Sequence, residues 1–457
     1  MDTVDCENDM KIENQSSSKN LTTKYQLVIL FTGIALPLIL VFLTRTDSVV
    51  FSDALDYLAV ADSLIAGNGF PLAHSSLPFF RAPLYPIFIS IIWLVFPKSI
   101  LAILIVQSVI FGLTALLLAK LAFLIFGNKL IAFLSGIVYC FNPFALISAT
   151  DVQTECLHTF LFLAGVFLLV KSNRLQNGIL SLLIGLIWGI ASLCRPSALP
   201  VALALFGVIF LLNIRKNPLI KSAKSFLLIL GLFLAIIPWT ALNFYKTGEF
   251  ILINDAGGFA LWLGNHPMSI KFYDGSIKTP EEYTAIRVYL IGPDGAIQEQ
   301  LHKFEQTTGY YNLSLREREK LWQNEAFNSM SESPGRTFRL FIRKFWDYWR
   351  PYLLPNAYST RMVAASLIYF SALYFLAFLG GINLFKIEDG KYYLTLLLSI
   401  FLASTTVHVI IISMIRLRLP YIEPYLTVLA MSGVWGICAK ISKLIKSNRI
   451  FNLENKI

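Results

Sequence analysis

Long apolar stretches recur along the whole chain and constrain its fold more than any other feature of the sequence. Of its 457 residues, 56% are hydrophobic and only 14% are charged. A stretch of about twenty apolar residues can cross roughly 30 Å of hydrocarbon, and it must be helical because lipid offers no hydrogen-bond partner to a free backbone amide. The sequence therefore predicts an all-α integral membrane protein with many spans.

Ten stretches qualify as spans. They lie near residues 26–43, 99–119, 130–147, 155–170, 178–194, 197–213, 225–243, 361–384, 392–412 and 419–438. Charge rises between the seventh and eighth, which predicts a water-facing domain of mixed character. The predicted order is a disordered cytoplasmic tail at 1–24, a membrane bundle at 25–243 with a first outer loop at 44–98, an outer domain at 244–356, a second bundle at 357–440 and a basic cytoplasmic tail at 441–457.

Lysine and arginine are distributed unequally between the loops on the two sides of the predicted bundle. If the N-terminus is cytoplasmic, the inner loops carry most of them, and the short outer segments carry Arg45, Arg81, Lys98, Arg195, Arg361, Arg416 and Arg418. The positive-inside rule then predicts a cytoplasmic-membrane protein with both termini inside. The net charge of +10 follows from the same topology. We therefore expect membrane lipids as partners and no nucleic acid.

The stretch that follows the first apolar run, residues 52–86, contains two acidic residues and an arginine. Asp53 and Asp56 stand one helical turn apart in a helix predicted over 54–66, which would lie along the membrane surface, and Arg81 follows. Carboxylates there would meet lipid head groups. In the alternative interpretation, Asp53 only caps the helix and Arg81 only extends its charge to water.

Further polar residues fall at the outer ends of later spans. Asp151, Glu155 and His158 follow one another at i, i+4 and i+7, the spacing of one helix face, and Arg195 marks a second outer turn. Polar groups are costly in a membrane, so such residues are functional candidates. The predicted midplane lacks the ionisable groups that an ion-coupled transporter needs, which favours chemistry at the outer surface on a lipid-borne substrate.

Two more outer segments complete the candidate set. The glycine-bearing run at 253–267 holds Trp262, Asn265 and His266, which are placed to face a sugar or a head group; alternatively, Trp262 is an interfacial anchor. The loop before the last span holds Arg416 and Arg418.

Several short motifs occur in an order that is familiar from one family. They are the acidic motif from Asp53 to Tyr57, AGNGF, RAPLYP, the turn around Glu155, LCRPSAL, PW followed by Asn243, GGFALWLGN and RLRLPYIEPYL. On these the chain resembles the GT-C superfamily of polyprenyl-phosphate-sugar-dependent glycosyltransferases, in particular the bacterial protein O-mannosyltransferase and aminoarabinose-transferase type. Two positions depart from the family pattern, because Ala54 stands where a second acid is usual and Leu242 where Arg is frequent.

The resemblance implies a GT-C-type helical bundle and an inverting transfer of a sugar from a polyprenyl-phosphate carrier to a hydroxyl of a lipid, glycan or protein. It implies Asp53 as the base, with Asp56 or Glu155 as a second acid that orients the acceptor or a metal. The implied substrate-binding residues are Tyr57, Arg81, Asp151, His158, Arg195, Trp262, Asn265, His266, Arg416 and Arg418. The sequence names no cofactor and leaves a divalent cation open.

Two other classes of function are alternatives to the transferase. A ligase or polymerase of surface polysaccharide would also use a long outer loop and arginines that bind phosphate. A transporter of lipid-linked glycans would need charged residues deep in several helices, which the sequence lacks. The acidic motif and the 257–265 run favour the transferase.

Overall fold

The computed structural model describes residues 21–44, 52–71, 81–172, 177–214, 218–272, 282, 285–286, 289–290, 295–353, 355 and 359–454. Over these residues the chain forms α helices, short 3-10 turns and loops, with no strand. The predicted tail at 1–24 lies almost entirely outside the described residues. The described part of the predicted outer domain, 244–356, consists of helices and the loops between them.

The first half of the chain supplies the larger helical bundle. Its helices are α1 Thr23–Thr44, α2 Ser52–Ile65, α3 Leu84–Val95, α4 Ile100–Phe126, α5 Lys129–Cys140, α6 Pro143–Ala149, α7 Thr154–Lys171, α8 Gly178–Cys194, α9 Ala198–Ile214 and α10 Pro218–Thr247.

The second half supplies the predicted outer domain and the last long apolar helices. Its helices are α11 Gly257–Asn265, α12 Ala296–Thr308, α13 Leu315–Glu332, α14 Pro334–Trp349, α15 Thr360–Leu384, α16 Gly390–Ile410 and α17 Glu423–Glu454. A 3-10 turn, Ile415–Arg418, lies in the loop between α16 and α17.

Among the described residues, seven helices are long and apolar enough to cross a membrane: α1, α4, α7, α10, α15, α16 and α17. All ten predicted stretches are helical, but three are not single full-length spans. The stretch at 130–147 is two helices bent by 59°, and α8 and α9 are shorter. The bend has a local cause, because the Asn142 side chain accepts hydrogen bonds from the amides of Phe144 and Ala145 and so starts a new helix. The chain is a multi-pass membrane protein.

Small residues let the membrane helices approach closely. A side chain at Gly380 of α15 would collide with the backbone oxygen of Leu429 in α17. Such contacts replace the hydrophobic driving force that is missing between helices in lipid. The close packing brings the loops that precede α7, follow α8 and precede α17 to one end of the bundle, where the candidate site lies.

The predicted outer domain, 244–356, has its own aromatic core. Trp322 of α13 is buried, and its indole N–H donates to the hydroxyl of Tyr310 at 3.0 Å. The rings of Phe259 and Trp262 from α11 pack against it at centroid distances of 5.2 and 4.8 Å. Helix α14 then packs against α16, where Trp349 Nε1 donates to Thr405 Oγ1 at 3.1 Å.

Candidate active site

Arg81 lies between the two acids of α2. Its Nη2 donates to Asp53 Oδ1 at 3.1 Å and its Nε donates to Asp56 Oδ2 at 3.2 Å. The acids can share one guanidinium because residues three apart on a helix face the same side. The ring of Tyr57 lies 5.3 Å from the guanidinium carbon, within range of a cation–π contact. Arg81 is therefore bound within the protein and does not merely extend its charge to water.

Arg416 joins this helix to a distant part of the chain. Its Nη2 donates to Asp53 Oδ2 at 2.8 Å, across 363 residues of sequence. Its Nη1 donates to Gln153 Oε1 at 2.6 Å and lies 3.8 Å from Glu155 Oε1. The 3-10 turn before α17 thus places one guanidinium between the acid of α2 and the turn before α7.

Arg195 completes the arrangement from the end of α8. Its Nη1 lies 3.1 Å from Glu155 Oε1, and the side chain of Glu155 is only 3% exposed. We call Asp53, Asp56, Arg81, Glu155, Arg195 and Arg416 the acid–arginine cluster. Three carboxylates balance three guanidinium groups, so the cluster is neutral although it is largely removed from water.

The arginines control the ionisation of Asp53. Burial alone would raise its pKa, but Arg416 and Arg81 outweigh that effect and hold the pKa at about 2. The pKa of Arg416 is raised in turn, because Glu155 and Asp53 outweigh the effect of its burial. In the free protein, Asp53 is therefore an ionised carboxylate at any physiological pH.

Buried hydrogen bonds fix the turn that carries Glu155. The Gln107 Nε2 donates to the backbone oxygen of Asp151 at 2.7 Å, and Gln107 Oε1 accepts from the hydroxyl of Tyr85 at 2.5 Å. Helix α7 begins only at Thr154, so the prediction that Asp151 shares a helix face with Glu155 and His158 is wrong. Asp151 lies before the helix, and its Oδ1 accepts from the amide of Val152 at 2.8 Å.

His158 is buried one turn deeper. Its Nδ1 lies 3.2 Å from the backbone oxygen of Ala191, and a carbonyl can only accept, so this nitrogen carries the proton. The Nε2 then accepts from the hydroxyl of Tyr421 at 2.8 Å. That hydroxyl also lies 3.1 Å from Ser197 Oγ. These bonds tie α7 to α8 and to the segment before α17.

Arg418 belongs to a separate, closed pair. Its Nε donates to Glu423 Oε1 at 2.5 Å, and both side chains are fully buried. Its Nη1 donates to the backbone oxygens of Tyr348 and Arg350 at 3.0 and 2.9 Å. The second oxygen of Glu423 accepts from Asn142 Nδ2 at 3.3 Å. The two arginines of one short turn thus have different surroundings.

Trp262 and His266 make their contacts within the 244–356 domain, whereas Asn265 also contacts the end of α16. Trp262 is 2% exposed within the aromatic core, which fits neither a sugar platform nor an interfacial anchor. The ring of His266 lies 4.9 Å from it. Asn265 Nδ2 donates to the backbone oxygen of Ile410 at 3.0 Å, and its Oδ1 accepts from Lys344 Nζ at 3.0 Å.

Sequence reasoning missed Gln153 and Lys344. Gln153 contacts Arg416, but it is a neutral residue beside a conspicuous Glu155. Lys344 is fully buried, whereas its neighbours Arg339 and Arg343 on α14 are exposed. In the sequence, Lys344 is therefore indistinguishable from the charged residues on the exposed side of this helix.

A divalent cation does not fit the cluster as it stands. In the described part of the chain, no three His, Cys, Asp or Glu side chains are grouped to hold a metal ion. Guanidinium groups already contact both oxygens of Asp53, Oδ2 of Asp56 and Oε1 of Glu155, so these atoms are occupied by cations.

Comparison with known proteins gives a partial match in sequence. Residues 80–241 match the family described as dolichyl-phosphate-mannose-protein mannosyltransferase. This segment contains Arg81, Glu155 and Arg195. A search of curated proteins found no match.

Comparison of structures covers nearly the whole chain. The oligosaccharyltransferase AglB from Archaeoglobus fulgidus, in complex with an inhibitory peptide and a dolichol-phosphate, gives a TM-score of 0.54 at 11% identity over 95% of this chain and 52% of that one. The apo form of the oligosaccharyltransferase from the same organism gives 0.53 at 13% identity over 95% and 53%. Its form tethered to an acceptor peptide gives 0.53 at 12% identity over 92% and 50%.

The chain spans about half the length of these solved structures, and at such identity the likeness concerns the fold. The fold agrees with the family matched by residues 80–241 and with the motif order. The protein is therefore a multi-pass membrane protein with a helical fold of the GT-C type, similar to that of these oligosaccharyltransferases.

Proposed function

We propose that this protein is an inverting glycosyltransferase that moves a sugar from a polyprenyl-phosphate carrier to an acceptor hydroxyl. The observation that carries the proposal is the acid–arginine cluster, in which Arg81, Arg195 and Arg416 meet Asp53 and Glu155 at one end of the membrane bundle. The family match and the fold support the same class of reaction.

The arginines suit the leaving group. When the bond between the anomeric carbon and the phosphate oxygen breaks, its electron pair leaves with the phosphate, and fixed cations stabilise the charge that develops there. Planar guanidinium groups bind phosphate oxygens through paired N–H groups. The three arginines lie in segments that adjoin apolar helices, so a polyprenyl tail can lie along the helices while its phosphate meets the arginines.

Asp53 suits the base, provided that the donor binds first. The attacking hydroxyl must lose a proton as its oxygen bonds to the anomeric carbon from the face opposite the phosphate. With a pKa of about 2, Asp53 is a poor proton acceptor while Arg81 and Arg416 hold it. A donor phosphate competes for those guanidinium groups. As they turn to the phosphate, burial raises the pKa of Asp53 and makes it a better base.

Asp56 and Glu155 are supporting acids in this scheme. Asp56 keeps Arg81 in place when Asp53 releases it. Glu155 does the same for Arg416 and also holds Arg195. Either could orient the acceptor. A lipid, a glycan and a protein are all open as acceptors.

We place the reaction at the outer face of the cytoplasmic membrane, with both termini inside, because the lysine and arginine distribution favours that orientation. Reporter fusions after residue 300 test it. A fusion there is expected to be active with a reporter that works outside the cytoplasm, and activity only with a cytoplasmic reporter would overturn the orientation.

The function is tested with purified protein in lipid nanodiscs and a panel of polyprenyl-phosphate sugars, together with lipid, glycan and peptide acceptors. We expect release of polyprenyl phosphate from at least one donor. No release from any combination would contradict the proposal. Consumption of only pyrophosphate-linked glycans, included in the panel, would favour the ligase or polymerase class instead.

A further inference from the structure

Gln153 lies beside Arg416, in the turn before α7. Its side-chain oxygen accepts from Arg416 Nη1 at 2.6 Å, and the residue is 4% exposed. Its backbone is extended, with φ −140° and ψ 152°.

The contact with Arg416 decides which way the amide faces. A guanidinium can only donate, so the oxygen of the amide must face Arg416 and the Nε2 must point elsewhere. That nitrogen is buried, and no acceptor for it is present in the described residues. Buried donors nearly always have a partner, so an N–H group held without one next to a functional cation indicates a ligand atom.

The turn keeps this donor in place. The backbone oxygen of Asp151, two residues earlier, is held by the fully buried Gln107, which is held by Tyr85. Two residues later, Glu155 lies 3.1 Å from Arg195. Gln153 is thus fixed on both sides and at its side-chain oxygen.

We propose that Gln153 Nε2 donates a hydrogen bond to a phosphate oxygen of the polyprenyl-phosphate donor; this rests on the proposed function. Gln153 Nε2 and the Oε1 that accepts from Arg416 are bonded to the same carbon atom. An anion bound to Arg416 is therefore also near Nε2. A neutral N–H beside the guanidinium adds direction to phosphate binding without further positive charge. Gln153 is then a substrate-binding residue, distinct from the residues that only orient Arg416.

The variant Gln153→Glu separates these two roles. It keeps the size of the side chain and an oxygen for Arg416, but replaces the donor by a second oxygen. The carboxylate also adds a negative charge beside the phosphate, and the loss of affinity caused by that repulsion shrinks as the salt concentration is raised. If Gln153 only orients Arg416, the affinity of the variant for polyprenyl phosphate should therefore approach that of the wild type at high salt. If the amide donates to the phosphate, its affinity should fall by about 10- to 100-fold, the usual effect of losing a hydrogen bond to a charged group.

Affinity is measured by calorimetric titration of the full chain in detergent with polyprenyl phosphate, and with uncharged polyprenol as the second probe. We expect Gln153→Glu to weaken only the phosphate probe. Gln306→Glu is the matched control, since it makes the same change at an exposed position of α12. Melting temperatures show whether each variant folds, and Gln153→Met provides a second, uncharged loss of the donor.

The possible results are distinct. Wild-type affinity for polyprenyl phosphate in both Gln153 variants overturns this inference but leaves the proposed function intact. An unchanged affinity combined with an altered preference among sugars assigns the amide to the sugar and also overturns it. If the wild type itself does not bind polyprenyl phosphate, the proposed function fails and this inference with it.

Discussion

Arg416 and Arg418 stand two residues apart in one 3-10 turn, yet they belong to two different kinds of charged site. The side chain of Arg416 is 27% exposed, and it shares Asp53 with Arg81 and Glu155 with Arg195. The side chain of Arg418 is fully buried, and within the described residues its one salt bridge is with Glu423.

The difference indicates what each site is built to do. In the acid–arginine cluster, partners are shared, so an incoming anion can take an arginine from one carboxylate while another still holds it. In the Arg418–Glu423 pair, backbone oxygens accept from Arg418 Nη1 and Asn142 donates to Glu423, and no second charged partner is shared among the described residues. Releasing either charge would therefore leave the other buried and unpaired. The first site is suited to exchange partners and the second to hold the fold.

The largest expected effect concerns Asp53. Asp53→Asn should lower turnover by about 10²- to 10⁴-fold while the protein stays folded, because it removes a general base but keeps the side-chain volume. Turnover and melting temperature are measured together. Asp56→Asn is the control, with a smaller expected loss, because Asp56 only supports Arg81.

Two results would contradict the role of Asp53. One is near-normal turnover of Asp53→Asn, and the other is a loss that follows entirely from misfolding. The role of base would then pass to Asp56 or Glu155.

The second prediction tests the closed pair. Arg418→Met should destabilise the protein by about 3–5 kcal/mol, because it leaves Glu423 buried and unpaired. Arg416→Met should instead lose activity with a smaller loss of stability. The double variant Arg418→Met/Glu423→Gln should recover much of the lost stability, measured as thermal unfolding in detergent. Equal destabilisation by Arg416→Met and Arg418→Met would remove the distinction between the sites.

A third, smaller effect concerns Lys344 of α14. Its Nζ donates to the backbone oxygen of Ile411 and to Asn265 Oδ1, each at 3.0 Å, and so holds the segment that leads to Arg416. Lys344→Met should cost about 1–3 kcal/mol of stability, because it leaves those buried oxygens without a donor. A melting temperature equal to that of the wild type would show that water or another donor replaces the lysine.

The pH dependence of this variant is also specified. Burial lowers the pKa of Lys344 from 10.5 to about 7. Between these values the unfolded chain binds the extra proton, so the lysine's contribution to stability rises with pH across that interval and is flat below it. The difference in unfolding free energy between wild type and Lys344→Met should therefore grow from about pH 7 toward pH 10.

Hydropathy predicted the helices well because lipid thickness imposes a length on apolar runs. It missed the bend at Asn142, since apolar residues continue on both sides and the cap acts through two backbone amides. It also misassigned Trp262, because a buried aromatic residue of the outer domain and an interfacial anchor have the same composition around them.

The site was predictable in part. The acids of α2, together with Arg81, Glu155 and Arg195, stood out because charge beside apolar spans is costly. Which arginine meets which acid depends on helix packing across hundreds of residues. Arg416 and Arg418 are both flanked by apolar residues in the sequence, so only the helix packing distinguishes them.

The separation of Asp53 from Arg416 by 363 residues has a consequence for biosynthesis. The ribosome delivers the α2 acids to the membrane early and the 3-10 turn of Arg416 near the end. Until that turn arrives, Asp53 lacks one of its two arginines and Glu155 is paired with Arg195 alone. A nascent or truncated chain therefore has an incomplete centre, and catalytic competence coincides with insertion of the last helix.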